Sequence, residues 1–564
     1  MKSRRILAIT LTLTLLLVFC TACGITPTTT STAETSGTTA ATTSPTTTEE
    51  PFKSVRIGVA YDPNTFDPAN LNLDSATAAG LIMYEALLRD VNGIVGPGIA
   101  ESWEASADNK EWTFRLRRST FSDGTPVTAE DFKFAIMRAI NPAAGHKNTA
   151  TLLRIVNATE YYNGAAEADD VAVEVLDDYT LRLKFVIPKF ETEFTGMLFA
   201  PMKKSLAESA GIEYGTSAGK VLGNGAFTIK EWVKDSSVTL VKNENYWDAD
   251  AIMLDEIIFE IGAANNDTAV DMMLTNKVDI SYFTNMNQIN TLSAAGFAYQ
   301  SITTSYRTLN VNHKGSSDAL RPFLSNVNFR KALNLAIDRE NLTRSVLTTD
   351  QPAFRLSAPS EMGVEKPFNE EYPFIAWPTR ADPERARAYL QAALNELGKT
   401  IDEIPPLVLL CFESQSSITI LSAVQDMFRQ VLNIRSEISS QTIGNMISMA
   451  FAGQYDLWLG GNATSVPDWL ISFGFGYTSE AYAATPRLRG YTNPVYDMLY
   501  NAAASSTDYR ARKDALFELE QFFCNNVINI IVSWTNAYYV QSADVTGLAF
   551  RADGNPYYAM LDIN

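Results

Sequence analysis

The sequence predicts an α/β protein, and three observations lead to this class. Strand-like and helix-like segments alternate along the body of the chain, which is the pattern of a sheet covered by helices. No segment of roughly 20–50 residues repeats, which argues against a solenoid or a propeller. Apolar residues make up 46% and charged residues 19% of the 564 residues, so the chain has the composition of a packed globular protein with a large core.

The first elements follow from hydrophobic period and from capping residues. Residues 54–61 are strand-like, and residues 74–89 carry apolar side chains at helical spacing. Residues 112–117 alternate between apolar and polar side chains, as a half-buried strand does. After a turn rich in Gly and Pro, Thr128 is expected to cap a helix whose first turn carries Asp131.

Later segments continue this alternation. Two strand-like runs lie between residues 225 and 242 on either side of a polar turn. Helices are predicted for residues 328–347, 417–432 and 508–523, because each has apolar side chains along one face. The alternation therefore extends over the whole body of the chain.

The amino terminus is predicted to be an export signal followed by a spacer. A basic start (Lys2, Arg4, Arg5) precedes an apolar run and small residues, so residues 1–22 are assigned to a signal peptide. Residues 23–52 are dominated by Thr, Ser, Ala and Pro and cannot bury a core. This segment is therefore expected to be a disordered linker that holds the body away from an anchor.

The end of the signal, residues 20–24, resembles the lipobox of bacterial lipoproteins. The resemblance implies that Cys23 carries a lipid after cleavage. Ala22 and Gly24 fit the pattern, whereas Cys20 stands where the family prefers Leu. Two alternatives are plain secretion with an unmodified Cys23 and retention of the segment as an uncleaved anchor.

Cysteine and histidine are scarce in the body of the chain. Cys411 lies in a strand-like run and Cys524 at the end of a helix-like run, so both are expected to be buried free thiols, with a disulfide as the alternative. The two histidines, His146 and His313, do not have the spacing of metal ligands. We therefore predict no metal and no cofactor.

Charge and motifs exclude two further classes of function. The formal net charge is −19, and removal of the basic signal makes it more negative, so nucleic acid is not expected as a partner. No Gly-rich phosphate-binding motif with its lysine precedes a helix, which argues against ATP binding of that type.

One short segment matches motifs of serine hydrolases. Residues 215–219 fit the nucleophile-elbow pattern, and Ser217 with Lys220 fits Ser-x-x-Lys. The elbow requires a strand before the serine and a helix after it, and neither flank has that pattern. The segment is therefore interpreted as a Gly-rich loop without catalysis at Ser217.

Aromatic residues and glycines are concentrated between residues 455 and 482. Apolar walls with a few polar groups are typical of solute sites, so Trp458 and Trp469 are candidate wall residues. For most aromatic residues of this segment, core packing is the better interpretation.

A set of sequence blocks then occurs in a fixed order. The blocks are Thr65-Phe66-Asp67-Pro68, residues 99–104, 112–117, 121–132, 223–227 and 243–247, and the run from Phe329 to Glu340. In this order they resemble the extracellular solute-binding proteins of ABC importers, family 5, which includes oligopeptide-binding and dipeptide-binding lipoproteins. The resemblance covers roughly Val55 to Phe550.

The resemblance implies a two-lobed periplasmic-binding-protein-like fold (type II, cluster C) with a hinge and an extra subdomain. Lobe I is expected at residues 53–84, 201–306 and 533–564, lobe II at residues 307–532, and the extra subdomain at residues 85–200. Such proteins enclose their ligand as the lobes close, and the importer recognises the closed form.

The resemblance also implies two walls of the ligand site, where backbone groups of the family pair with a peptide. The expected wall residues are Asn72, Leu73 and Asp74 on one side and Gly461, Asn462 and Ala463 on the other.

Recognition of the peptide amino group is the part of this implied site in which the chain departs from the family. In oligopeptide-binding members a carboxylate that follows a Tyr-Asp pair, here residues 455–456, holds this group, but Ser465 occupies its place. A buried ammonium group without a carboxylate is costly, so Asp468 or Asp74 would have to take the role.

Several functions are therefore compared. The first is a lipid-anchored receptor on the outer face of the bacterial cytoplasmic membrane, acting as a monomer that delivers a peptide to ABC permease and ATPase subunits. The second is the same receptor for an oligosaccharide, opine or metal chelate. The aromatic walls and Ser465 favour a sugar over a free peptide, and the scarcity of histidine argues against a metal. A surface hydrolase that uses Ser217 and a structural surface protein are more distant alternatives.

Overall fold

The computed structural model describes residues 51–71, 74–146, 149, 151–263, 266–463, 470, 473 and 490–564. The strands are β1 (Ser54–Val59), β2 (Leu88–Val91), β3 (Ile94–Pro97), β4 (Ala100–Ala105), β5 (Glu111–Leu116), β6 (Val173–Asp177), β7 (Thr180–Lys184), β8 (Phe227–Val233), β9 (Ser237–Lys242), β10 (Glu256–Ile261), β11 (Ile280–Phe283), β12 (Ala298–Val311), β13 (Gln351–Pro352), β14 (Leu407–Phe412), β15 (Ser436–Gln441), β16 (Leu457–Ala463), β17 (Ile530–Gln541), β18 (Val545–Thr546), β19 (Ala549–Phe550), β20 (Pro556–Tyr557) and β21 (Asp562–Ile563).

The helices are α1 (Asp74–Met83), α2 (Ala129–Ala139), α3 (Ala158–Tyr162), α4 (Lys204–Ala210), α5 (Asn266–Leu274), α6 (Met286–Ala294), α7 (Arg321–Ser325), α8 (Val327–Ala336), α9 (Arg339–Ser345), α10 (Phe368–Glu371), α11 (Pro383–Leu397), α12 (Gln415–Leu432), α13 (Ile443–Ala452), α14 (Pro494–Ser505) and α15 (Tyr509–Asn525). Within the described ranges, none of them has both the length and the apolar character needed to cross a membrane.

Two long strands are shared by both halves of a large mixed sheet. The strand order is β15-β14-β16-β12-β17-β11-β1-β10-β9-β8, and β13 pairs with β17. β12 pairs antiparallel with β17 along most of its length, and its second half also pairs with β16. The end of β17 pairs with β11 in the other half. Parallel pairs such as β1 with β10 and β14 with β15 require crossover connections, as in an α/β fold.

Each half of this sheet has its own buried core, so the fold has two lobes. In one half, α8, α11 and α12 pack on β12, β14 and β16 around Leu309, Leu409 and Val424. In the other half, α1 and the C-terminal strands pack on β1, β9 and β10 around Ile57 and Leu240. The predicted strands at residues 54–61 and between residues 225 and 242 are confirmed as β1, β8 and β9.

The extra subdomain is built on a separate antiparallel sheet with the order β4-β5-β7-β6. Strand β5 buries alternate side chains, as predicted for residues 112–117. Helix α2 begins after the N-cap residue Thr128, and the Asp131 carboxylate accepts hydrogen bonds from the Thr128 backbone N–H and hydroxyl. Sheet and helix enclose a core that includes Phe114, Phe132 and Phe194.

The β12–β17 ladder is irregular at two places. The register shifts between Thr303 and Ser305 and again between Arg307 and Thr308. These irregularities lie around Ser305, where the pairing of β12 with β16 begins. Such bulges bend a strand and increase its local twist, so the ladder is bent in both places.

The helix predicted for residues 74–89 ends earlier than expected, at Met83. The cause is a pairing that is distant in sequence. The Glu85 N–H donates to the Asn224 side-chain oxygen at 3.1 Å, and the Asn224 amide donates to the Glu85 carbonyl at 3.0 Å. These bonds hold the Glu85 backbone to another segment, and strand β2 follows immediately.

The prediction of a single helix for residues 328–347 is wrong, because the structure has two helices there, α8 and α9. Ile337 is extended, and the Asp338 carboxylate caps α9 through the Asn341 N–H at 2.8 Å. The buried Arg339 guanidinium donates to the carbonyls of Asn334 and Ile337, which satisfies the end of α8. The helices predicted for residues 417–432 and 508–523 are confirmed as α12 and α15.

Both cysteines of the body are free and buried, as predicted. Cys411 lies in the core of the lobe that contains β14, and Cys524 lies in a different cluster around α15. Burial raises the pKa of both thiols, so they stay protonated near neutral pH.

The buried histidines predict a loss of stability in acid. His313 is only 4% exposed and donates through Nε2 to the Ile528 carbonyl, and burial and the Arg330 charge hold its pKa well below the ordinary value. Burial also lowers the pKa of His146. Because the unfolded histidines gain protons below about pH 6.5 and the folded ones do not, the free energy of unfolding should fall by about 1.4 kcal/mol per pH unit for each histidine. Urea unfolding between about pH 7.5 and 5.5 measures this slope, and His313→Gln should make it shallower. If the slope in the variant equals the slope in the wild-type protein, the low pKa assigned to folded His313 is contradicted.

Candidate functional site

The first predicted wall follows a turn that is fixed by Asp67. The Asp67 carboxylate is 2% exposed and receives both terminal nitrogens of Arg138, at 3.0 and 2.7 Å. It also accepts the Ala69 N–H at 3.1 Å and the Asn70 side-chain amide at 3.2 Å. A buried carboxylate with this many donors holds the chain rigidly just before residue 72.

The expected residues of this first wall are only partly described. Asn72 and Leu73 lie outside the described residues. Asp74 is the first residue of α1, and its side chain also lies outside the description. Their contact with a ligand stays a prediction.

A cavity of about 590 Å³ lies beside this turn. It is bounded by side chains of α2 and α4, among them Phe134, Met137 and Ala207, and Asp67 and Asn70 belong to its lining. His146 also lines it, with Nδ1 at 2.9 Å from the Asn70 side-chain oxygen. Since Asn70 accepts here, Nδ1 is the protonated nitrogen, and burial keeps the ring neutral by lowering its pKa.

The second predicted wall is the end of strand β16. Asp456, directly before the strand, is fully buried and accepts the Ser316 N–H at 2.7 Å, the Ser316 hydroxyl at 3.0 Å and the Val408 N–H at 2.8 Å. Burial raises the pKa of this carboxyl. Asp456 therefore positions the strand and does not face a ligand.

The register of β16 places the predicted wall beside the irregular part of β12. Gly461 pairs with Arg307, Asn462 with Tyr306, and Ala463 with Ser305. The side chains of Asn462 and Ala463 lie outside the description. Ser465, Asp468 and Trp469 also lie outside the described residues, so their part in the site stays a prediction.

Trp458 is 9% exposed and packs in a small buried cluster. Its neighbours in this cluster are Leu410, Met446, Ala450 and Tyr455, and the Tyr455 ring meets the indole edge-on at 6.3 Å. The indole N–H has no hydrogen-bond partner in the described part of the chain. In this arrangement Trp458 packs chiefly as a core residue, and its role as a wall stays a prediction.

A buried polar network behind β16 was not predicted. The Asn310 amide donates to the Trp458 carbonyl at 3.3 Å, and its side-chain oxygen accepts from Asn529 at 3.0 Å and from Thr308 at 3.1 Å. Asn529 in turn accepts the Val311 N–H at 2.9 Å. The sequence signal was the pair Asn310 and Asn312 in an otherwise apolar segment, since asparagine is depleted in strands.

Two adjacent glycines in β16 should respond differently to alanine. A Cβ at Gly460 would lie 2.6 Å from the Asn310 amide nitrogen, which its hydrogen bonds hold in place. We expect Gly460→Ala to lower the free energy of unfolding by about 1–3 kcal/mol, as overpacking does. Gly461→Ala is the matched control: among the described residues its Cβ would meet only the Tyr306 carbonyl, at 3.7 Å, and the change should stay within about 0.5 kcal/mol. Equal losses in urea unfolding would contradict the packing argument.

The segment that matches hydrolase motifs lacks the required arrangement. Ser217 is exposed and precedes a short turn, Ala218–Lys220. Lys220 forms an ion pair with Glu213, and no hydrogen bond joins its ammonium group to Ser217 in the described part of the chain. Gly215 adopts a left-handed conformation and donates to the Lys220 carbonyl, closing a loop. The described residues also contain no cluster of potential metal ligands.

Comparisons with known proteins agree with this architecture. The profile of the bacterial extracellular solute-binding proteins, family 5 Middle, matches residues 95–482. The oligopeptide-binding protein OppA of Bacillus subtilis (strain 168) is 26% identical over 518 residues, covering 90% of this chain and 92% of that protein. The periplasmic murein peptide-binding protein MppA of Escherichia coli (strain K12) is 28% identical over 464 residues, covering 79% of this chain and 82% of that protein.

A solved structure shares the fold. The periplasmic oligopeptide-binding protein OppAIV of Borrelia burgdorferi superposes with a TM-score of 0.72 at 23% identity, and the match covers 91% of this chain and 100% of that chain. The predicted fold, α/β and two-lobed with a hinge and an extra subdomain, is thereby confirmed. Because the family profile matches more than half of the sequence, this chain belongs to the bacterial extracellular solute-binding proteins of family 5.

Proposed function

We propose that this chain is a lipid-anchored receptor that captures a peptide between its two lobes and presents it to the permease of an ABC importer. One observation carries the proposal: relatives named for oligopeptide and murein peptide binding align with most of the chain. The pairing of Gly461 and Ala463 with β12, beside the strands that join the lobes, supports a ligand site at that place.

Capture requires that the lobes close about a hinge. The hinge lies in β12 and β17 near residues 306–307 and 532–533, and the register shifts of the ladder support this location. On this division lobe I comprises residues 53–84, 201–306 and 533–564, lobe II residues 307–532, and the extra subdomain residues 85–200.

A contact between the extra subdomain and lobe II supports closure. The Phe190 ring meets the Tyr509 ring edge-on at 5.5 Å, and the Arg512 guanidinium lies over Phe190 at 4.8 Å. The Asn109 side-chain amide donates to the Thr507 carbonyl at 2.8 Å. The segments that carry these groups adjoin two separate buried clusters, one that includes Phe185 and Phe194 and one that includes Leu516 and Leu519, and they meet where lobe II and the extra subdomain approach each other.

Phe190→Ala should therefore weaken retention of the ligand. The variant loses an aromatic pair and a cation–π contact, so we expect the Kd of bound peptide to rise about tenfold, mainly through faster dissociation. Stopped-flow dissociation measures this effect. Phe52→Ala, which removes an exposed ring directly before the start of lobe I, is the control and should leave the rate unchanged. Equal rates in both variants would contradict a role of the contact in closure.

The identity of the ligand can be tested directly. The protein is purified under native conditions, and the solute that co-purifies is identified by mass spectrometry. The proposal expects peptides, and addition of a mixture of short peptides should raise the melting temperature, since ligand binds only the folded state. Recovery of an oligosaccharide alone, with no shift by peptides, would overturn peptide capture. Ser465 in the place of a carboxylate makes this non-peptide receptor the second candidate.

The anchor is tested separately from the ligand. If Cys23 carries a lipid, the wild-type protein should fractionate with membranes, and Cys23→Ser should release it into the soluble extracytoplasmic fraction. Cys411→Ser, a change at a buried thiol of the body, is the matched control and should leave fractionation unchanged. Membrane association of a Cys23→Ser variant whose mass shows that the signal has been removed would overturn the lipid anchor.

A further inference from the structure

Arg307 occupies a distinctive position next to the second wall. It lies on β12 directly opposite Gly461 of β16, and residues that face each other across an antiparallel pair project to the same side of the sheet. About a third of its side chain, 34%, is exposed. An arginine of partial exposure therefore stands beside a glycine of the predicted ligand wall.

Within the described residues, the guanidinium is held on one edge. Its Nε donates to the Asp350 carboxylate at 2.8 Å, and this carboxylate is 1% exposed and also accepts the Ser533 hydroxyl at 2.6 Å. The donors on Nη1 and Nη2 have no protein partner in the described part of the chain. Asp350 and Ser533 thus fix the orientation of the guanidinium. Its two terminal nitrogens, Nη1 and Nη2, form an outer fork that can donate hydrogen bonds to a ligand.

The position that faces this fork across the strand pair carries no side chain, because it is Gly461. Among the described residues, a Cβ at Gly461 would have the Tyr306 carbonyl at 3.7 Å as its nearest neighbour. Two parallel N–H donors of one guanidinium match the two oxygens of a carboxylate. A neutral carbonyl offers a single uncharged oxygen to these two donors, so the fork favours a carboxylate.

We infer that the outer fork of Arg307 is a ligand contact that receives a carboxylate of the captured solute. This inference rests on the proposed function, and it narrows the ligand class to solutes with a free carboxylate near the β12–β16 pair. Asp350 is a positioning residue, because it acts on the ligand only through the orientation of Arg307. As the lobes exclude water from the site, the charged pair gains strength.

The inference predicts a difference between acids and amides. A mixture of tripeptides to pentapeptides as free acids should bind the wild-type protein about 10–100-fold more tightly than the same mixture as C-terminal amides. Arg307→Gln should remove this difference by weakening the acids alone. Arg307→Lys retains the charge without the fork and should give an intermediate ratio. Arg429→Gln, at an exposed arginine paired with Asp426, is the matched control and should behave as wild type.

A second measurement keeps the test valid if no peptide binds. Phenylglyoxal reacts with an accessible guanidinium fork, and peptide mapping reports the modification of Arg307 in the ligand-free protein. We expect modification of Arg307 and protection by succinate, but none by succinamide. Failure of both peptide mixtures to bind the wild-type protein would refute peptide capture. The labelling would still show whether Arg307 is accessible and binds a carboxylate. An acid-to-amide ratio that is unchanged in Arg307→Gln, or an Arg307 that is unreactive or unprotected by succinate, would overturn the carboxylate contact.

Discussion

Glu520→Ala is expected to lower the free energy of unfolding by about 3–5 kcal/mol. Glu520 and Arg355 form an ion pair whose side chains are both 0% exposed. The Glu520 carboxylate also accepts the Ser357 N–H at 2.6 Å, and the Arg355 guanidinium lies 5.3 Å from the Phe368 ring. Removal of the carboxylate leaves a guanidinium charge in an apolar cage, where the cost of desolvation is no longer offset.

The helix provides a matched control for this prediction. Glu518 lies on the same helix, α15, but is exposed, so Glu518→Ala should change stability by less than about 0.5 kcal/mol. Equilibrium urea unfolding compares the two variants. The double variant Arg355→Met/Glu520→Leu should recover much of the loss, because an apolar pair requires no charge compensation. Equal effects of the two Glu→Ala changes would show that the buried pair is not the cause.

Local patterns sufficed for elements whose residues determine their own conformation. β5 was predicted because its apolar residues alternate, and the structure buries the same side chains. α12 was predicted from the spacing of apolar residues, and Leu421, Val424 and Phe428 are buried in it. In such elements the period of the apolar residues in the sequence directly gives the face that is buried in the structure.

The errors arose where distant contacts determine the backbone. The end of α1 depends on bonds between Glu85 and Asn224, 139 residues apart in sequence. The break between α8 and α9 depends on Arg339, which satisfies the last carbonyls of α8. The signal for this break was Asp338, a residue type favoured at helix N-caps, inside a segment with continuous helical periodicity.

In the candidate site, too, some features follow from the sequence and others depend on contacts between residues that are distant in sequence. The position of β16 and its glycines could be inferred from the resemblance, and the register with β12 is consistent with a wall there. The pairing of Arg307 with Asp350 could not be inferred from the sequence, because 43 residues separate them and neither belongs to a motif. Charged groups that meet through the fold alone are invisible to local patterns, although they determine what a site can recognise.

Arg138→Ala is expected to cost about 3 kcal/mol of stability and to weaken ligand binding as well. Arg138 is the cationic partner that the structure shows for the Asp67 carboxylate, which is only 2% exposed. Without the guanidinium, the carboxylate retains the Ala69 N–H and the Asn70 amide, which do not compensate a buried charge. The turn that leads to residues 72–74 should then loosen, so stability and affinity should fall together.

A double-mutant cycle distinguishes this effect from a general loss of packing. Asp67→Asn and Arg138→Leu are combined, and the double variant should be more stable than the Arg138→Leu single variant, because no uncompensated charge remains. Arg182→Ala, at an arginine that is 31% exposed and paired on the surface with Glu174, is the control and should cost less than about 1 kcal/mol. Urea unfolding and peptide titration are measured on each variant. If affinity is unchanged while stability falls, the turn at Asp67 supports the fold but does not position the first wall of the site.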